Sequence, residues 1–99
     1  MSNLKNESVD RLFKAFLCLK SEEECYAFFE DLCTVKEIKD MAQRLETAIL
    51  LSQGNSYLQI AEKAGTSAAT VSRVNRCLEY GAGGYKTIIE RIAGEEDGN

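Results

Sequence analysis

A chain of 99 residues with 44% hydrophobic residues, 28% charged residues and a net charge of −4 has material for one small hydrophobic core. It contains no proline, which excludes proline-rich linkers, and no histidine, which removes the commonest general base and every zinc site mixing cysteine with imidazole. The longest apolar run, Ala15 to Leu19, is 5 residues where a membrane span needs about 20, and the start Met1-Ser2-Asn3-Leu4-Lys5 lacks the apolar stretch of a signal peptide, so the chain reads as cytoplasmic.

Val9, Leu12, Phe13, Phe16 and Leu17 recur at steps of three and four and predict an amphipathic helix from about Glu7 to Leu19. Ser21-Glu22-Glu23-Glu24 has the form of a capping box and opens a second helix, with Cys25, Phe28, Phe29 and Leu32 on its apolar side and an end near Cys33. Three adjacent acids on a helix point in three directions, so Glu22 to Glu24 read as a solvated cap and not as a metal site. The four phenylalanines are expected to be core, and Cys18, Cys25, Cys33 and Cys77, which form no Cys-x-x-Cys pair, are expected to be buried thiols.

Thr34-Val35-Lys36-Glu37 is a further box, and from it a long third helix runs through Val35, Ile38, Met41, Leu45, Ala48, Ile49 and Ser52 until Gly54 stops it. Leu50 and Leu51 widen its apolar surface beyond one stripe. A single short chain has little with which to cover both sides, which points to a homodimer.

After Gly54, the box Ser56-Tyr57-Leu58-Gln59 opens a helix of about eight residues that Gly65 ends. Thr66-Ser67 caps the next, from about Ser67 to Leu78. Its inner face is Val71, Val74 and Leu78, and its other faces carry Ala68, Ala69, Thr70, Ser72, Arg73, Asn75 and Arg76. Short helix, glycine turn and second helix make a helix-turn-helix over residues 56–78. Ala61 is small where two helices cross, Gly65 accepts the positive φ of a tight turn, and Ile60, Ala64, Val71 and Val74 hold the pair together. The short outward side chains let the second helix enter a major groove about 12 Å wide. Base edges would be met by Ser67, Ala68, Ala69, Thr70 and Ser72, and phosphates by Arg73, Arg76, Lys63 and Tyr57.

Gly81-Ala82-Gly83-Gly84 lacks the Lys-Ser/Thr of a phosphate-binding loop and reads as a turn into a last helix with Tyr85, Ile88, Ile89 and Ile92 on one face. Residues 1–94 are thus expected to form one all-α domain, and 95–99 a disordered acidic tail.

The stretch Tyr57 to Arg76 resembles a bacterial helix-turn-helix throughout. Thr34 to Leu78, with Arg44 in the long helix, Gln53-Gly54 before the motif and Ala69-Thr70-Val71-Ser72-Arg73 within it, resembles the Trp repressor superfamily, and the run Cys77 to Tyr85 is similar to its YerC/YecD-type branch. The resemblance implies about six helices and an intertwined dimer joined through the N-terminal helices. It also implies an effector site in which the arginine at Arg44 holds a carboxylate and the arginine at Arg73 covers an indole ring, with Thr34 as a further candidate. The glycine that follows the second arginine in the tryptophan-binding member is Val74 here, and its side chain takes volume that an indole needs, so a small-molecule corepressor is open but tryptophan is not expected. Read without the family, Arg44 is an ion-pair partner for Asp40 one turn back.

The charge is uneven: −3 over residues 1–55, +2 over 56–78 and −3 over 79–99. The positive segment is the motif itself, which suits binding to double-stranded DNA despite the acidic total. The function expected is that of a sequence-specific transcriptional regulator, a repressor in the first instance, with no catalytic residue and no metal. The alternative is a helix-turn-helix that serves protein interaction alone.

Overall fold

The computed structural model describes residues 5–98, with side chains through residue 95, as six α-helices and no strand. They are α1 (Glu7–Cys18), α2 (Glu22–Leu32), α3 (Val35–Ser52), α4 (Tyr57–Ala64), α5 (Ala68–Tyr80) and α6 (Gly84–Gly98). The chain divides into two compact units, Met1–Val35 and Lys36–Asn99, where the sequence suggested one domain over residues 1–94.

In the first unit each helix begins on a side-chain cap. Asn6 accepts from the Val9 amide at 2.9 Å, and Ser21 accepts from the Glu24 amide at 3.1 Å. Glu24 does reach back, but to the amide of Lys20 at 2.8 Å and not to that of Ser21. The rings cluster around Phe16, which stacks on Phe29 at 5.2 Å between centroids and meets Phe13 and Phe28 at 6.0 and 5.9 Å. The expected aromatic core is therefore assembled but not enclosed. No described residue of α1 or α2 is buried, and Phe13 remains 50% exposed, because two short helices cannot surround four rings. The cysteines depart from expectation as well: Cys18 is exposed and Cys25 and Cys33 are half-buried in this open unit, Cys77 is exposed on α5 in the other, and all four are free.

The second unit contains the core. Leu50, Ile60 and Val71 form one cluster with Leu51 and Ala64 packed against it, and Ala48, Val74 and Thr47 are also buried. The buried hydroxyl of Thr47 donates to the Gln43 carbonyl at 2.7 Å, which spares it an unpaired polar group. The side of α3 turned to α4 and α5 is thus centred on Thr47, Leu50 and Leu51. Most of the stripe expected from periodicity is less covered: Met41 is exposed, and Ile38, Leu45 and Ile49 are half-buried. Leu45 instead lines an apolar cleft of about 450 Å³ with Tyr85 and Ile88 of α6. Ile49 lines a second cleft of mixed character, of about 370 Å³, with Ile89 and Ile92 and with Glu46, Ser52 and Gln53. The long helix does use two sides, and its second side is left partly open.

The turn into α6 is tight. The Gly81 amide caps α5 by donating to the Cys77 carbonyl at 2.8 Å, and a Cβ on Gly81 would collide with that same carbonyl. α6 continues to Gly98, through residues that the sequence reading gives to the tail. No proline follows Ile92 to stop the helix, and Glu95 and Glu96 are good helix formers. Asn99, and the start Met1 to Leu4, lie outside the described residues.

Candidate nucleic-acid interface

The helix-turn-helix is built from caps at both of its starts and a glycine at its centre. Ser56 accepts from the Gln59 amide at 3.2 Å while the Gln59 side chain accepts from the Ser56 amide at 2.8 Å, so both arms of the expected box form. Gly65 ends α4 in the left-handed region at φ 63° and ψ 39°, and Thr66 donates back to the Ala61 carbonyl. Ser67 then caps α5 by accepting from the Thr70 amide at 3.2 Å, and its hydroxyl donates to that of Thr70 at 3.1 Å.

Beneath this frame, Val71 is fully buried and Val74 is 2% exposed, with Leu78 half-buried, so the expected inner face holds. Ala68, Ala69, Ser72, Arg73 and Arg76 are exposed together and occupy one face of α5, at positions separated by about one helical turn. Among the described residues neither arginine is engaged by an acid. Two other candidates are committed elsewhere. Ser67 spends its hydroxyl on the cap, and the ammonium of Lys63 donates to the Asn55 side chain at 2.9 Å. Asn55 in turn donates to the Leu50 carbonyl at 3.0 Å, so this pair ties the end of α3 to α4. Tyr57 is 43% exposed at the first position of α4.

Beside this exposed face of α5 lies a mainly polar cleft of about 290 Å³ lined by Asp40, Gln43, Arg44, Thr70, Arg73 and Val74. It brings together the two arginines that the sequence set 29 positions apart. Thr34 belongs to the other unit. The expected ion pair of Arg44 with Asp40 is not made: Arg44 donates through Nε to the Asp40 backbone carbonyl at 3.3 Å, and the carboxylate is taken by Lys36 at 2.9 Å. Lys36 sits four residues before Asp40 and reaches it along the helix, which leaves the Arg44 guanidinium turned to the cleft. Val74 closes the cleft from the core side.

One contributor was not singled out in the sequence. The side-chain amide of Gln43 donates to the carbonyls of Ala64 at 3.2 Å and Gly65 at 2.9 Å. No local signal announces it, since its partners stand 21 and 22 residues ahead.

Comparison with known proteins fits this geometry. The family described as Trp repressor protein matches residues 7–93. YerC of Bacillus subtilis (strain 168) is 48% identical over 92 residues, covering 93% of this chain and 88% of its own. A TrpR-like protein from Eubacterium eligens ATCC 27750 superposes with a TM-score of 0.88 at 51% identity, over 91% of this chain and 93% of the other. A structure from Staphylococcus aureus matches equally well, with a TM-score of 0.88 and 46% identity over 91% of this chain and 90% of its own. A six-helix chain that this family matches over residues 7–93, and that is 48% identical to YerC, belongs to the Trp repressor superfamily of DNA-binding regulators, on its YerC-type branch.

Proposed function

We propose that the protein is a cytoplasmic, homodimeric transcriptional regulator that binds double-stranded DNA sequence-specifically through α5, and that it acts as a repressor. The observation that carries this reading is the outer face of α5. Short side chains at Ala68, Ala69 and Ser72 leave room for the groove, and the unpaired Arg73 and Arg76 flank them on a helix whose inner face is locked in the core. Homodimerisation is supported by the apolar cleft that Leu45 shares with Tyr85 and Ile88 and by the unenclosed rings of the first unit, which a second copy would cover. Two α5 helices related by a twofold axis would read half-sites about 34–36 Å apart.

Selection of bound duplexes from a random pool tests the reading. The expected result is an enriched motif with twofold character, lost on Ala69→Asp, which places a carboxylate against the DNA. With Arg73 and Arg76 as the phosphate ligands of each protomer, log Kd should rise with log salt at a slope of about 3.6. Enrichment of no motif, with no difference between wild type and Ala69→Asp, would favour the protein-interaction alternative.

Control is a separate matter. The Arg44–Arg73 cleft suits a small anion, and Val74 occupies its inner wall, so L-tryptophan should bind weakly or not at all. Overfilling such a site costs about 1–3 kcal/mol, a tenfold to hundredfold loss of affinity. Calorimetry with L-tryptophan should be silent for wild type and show binding for Val74→Gly; tight binding to wild type would mean that the valine moves aside.

A further inference from the structure

We propose that Gln43 is the positioning residue that aims the reading helix, by holding the turn of the helix-turn-helix from α3. This inference rests on the DNA-binding reading above. The carbonyls of Ala64 and Gly65 lie at the end of α4, where backbone acceptors have no partner within the helix. Both are met by the one amide group of Gln43, at 3.2 and 2.9 Å. The orientation of that amide follows from the chemistry, because the reverse one would set its oxygen against two carbonyl oxygens.

Packing of Ile60, Ala64 and Val71 holds the two helices together on either side of the turn, but at the turn itself a Cβ built on Gly65 meets nothing within 4 Å, so the hydrogen bonds of Gln43 add a restraint that side-chain contact at Gly65 does not. Lys63, the nearest cation on α4, is occupied with Asn55. Gln43 itself stands on a firm base, since the fully buried Thr47 is bonded to its carbonyl one turn further along α3.

The turn is short enough for this hold to be felt by α5. Only Gly65, Thr66 and Ser67 separate the two helices, and Ser67 is the cap from which α5 starts. A shift of the Gly65 peptide therefore becomes a change in the direction of α5 and of Ala68, Ala69 and Ser72. Gln43 also shares a cleft with Thr70 and Arg73 of α5, so one side chain touches the turn and borders the helix that the turn aims.

The test uses Gln43→Glu, nearly the same shape but unable as a carboxylate to donate to either carbonyl, and Gln43→Ala, which removes the group without adding charge. Helix content by circular dichroism verifies folding. Amide hydrogen exchange is then followed at Thr66 and Val71 and, as reference, at Leu50 in α3. Binding of Gln43→Ala is measured on a selected duplex and on an unrelated one at low salt. The expected result is exchange at least tenfold faster at Thr66 in both variants with Leu50 unchanged, and specific affinity down about tenfold with unrelated-duplex affinity within twofold.

Unchanged exchange at the turn overturns the proposal. So does a uniform acceleration that includes Leu50 and lowers both affinities alike, which would make Gln43 merely structural. Faster turn exchange with undiminished specific binding also overturns it, because the turn would then not aim α5. If the wild type selects no duplex, the DNA-binding reading has failed instead, and the exchange data judge the hold of Gln43 on the turn without it.

Discussion

The two units of this chain are made of the same kind of helix and reach different ends. In Met1–Val35, two amphipathic helices bring four phenylalanines into contact, yet none of their described residues is buried. In Lys36–Asn99, Ile60 and Val71, each smaller than a phenylalanine, are fully enclosed. The difference is the number of directions from which neighbours arrive. Ile60 and Val71 sit in one cluster with Leu50, contributed by α4, α5 and α3, whereas within the first unit the described helices that can meet Phe16 are two, its own α1 and α2. Amphipathicity creates a face that seeks cover, and a third element is needed to supply it.

The contrast yields an order of expected effects. Ile60→Ala should be the most damaging, at about 2–5 kcal/mol of unfolding free energy in denaturant titration, since the side chain is fully buried. A loss below about 1 kcal/mol would mean that the core is looser than its burial indicates. Phe16→Ala should cost less in folding, and its main signature should be in self-association. On the proposed dimer, sedimentation should show association weakened, with Kd raised about tenfold, roughly 1.4 kcal/mol, and α4 and α5 unaffected. If Phe16→Ala destabilises a monomer as much as Ile60→Ala does, the two units are not different in the way described.

Smaller changes sharpen the comparison within the second unit. Gly65→Ala should cost about 1–2 kcal/mol purely through its left-handed backbone, because the space beside it is open. Thermal denaturation would register this, and a neutral result would mean that the turn relaxes to another conformation. Asn55→Ala should cost about 0.5–1.5 kcal/mol by removing the link from Leu50 to Lys63. It should also release the Lys63 ammonium. Were Lys63 then to reach a phosphate, the salt dependence of DNA binding would steepen in Asn55→Ala relative to wild type, whereas an unchanged slope would leave Lys63 outside the interface.

How much of the candidate site could be read in advance depends on the sequence distance over which each interaction acts. The caps at Ser21, Ser56 and Ser67 are satisfied within three residues, and a short motif states them completely. Gly65 is equally local: its left-handed backbone follows from the need to end a helix and start another after three residues. The inner face of α5 at Val71 and Val74 follows from helical period. By contrast, the tie of Lys63 to Asn55, the choice by Asp40 of Lys36 over Arg44, and the bridge from Gln43 to the turn were each decided among competitors that a one-dimensional pattern ranks equally.

The succession of six helices, the position of the helix-turn-helix and its positive charge were determined by the order of residues alone, because caps, glycine stops and apolar period act over one or two helical turns. Which side of α3 would be core was not. The periodic stripe through Met41, Leu45 and Ile49 looks as apolar as the side centred on Thr47 and Leu50, and only the arrival of α4 and α5 on the latter made it the interior. The same docking brought Arg44 and Arg73 to one cleft and set Gln43 against the turn. Burial depends on where neighbouring helices converge in space, and that convergence joins residues more than twenty positions apart, beyond the reach of any local rule.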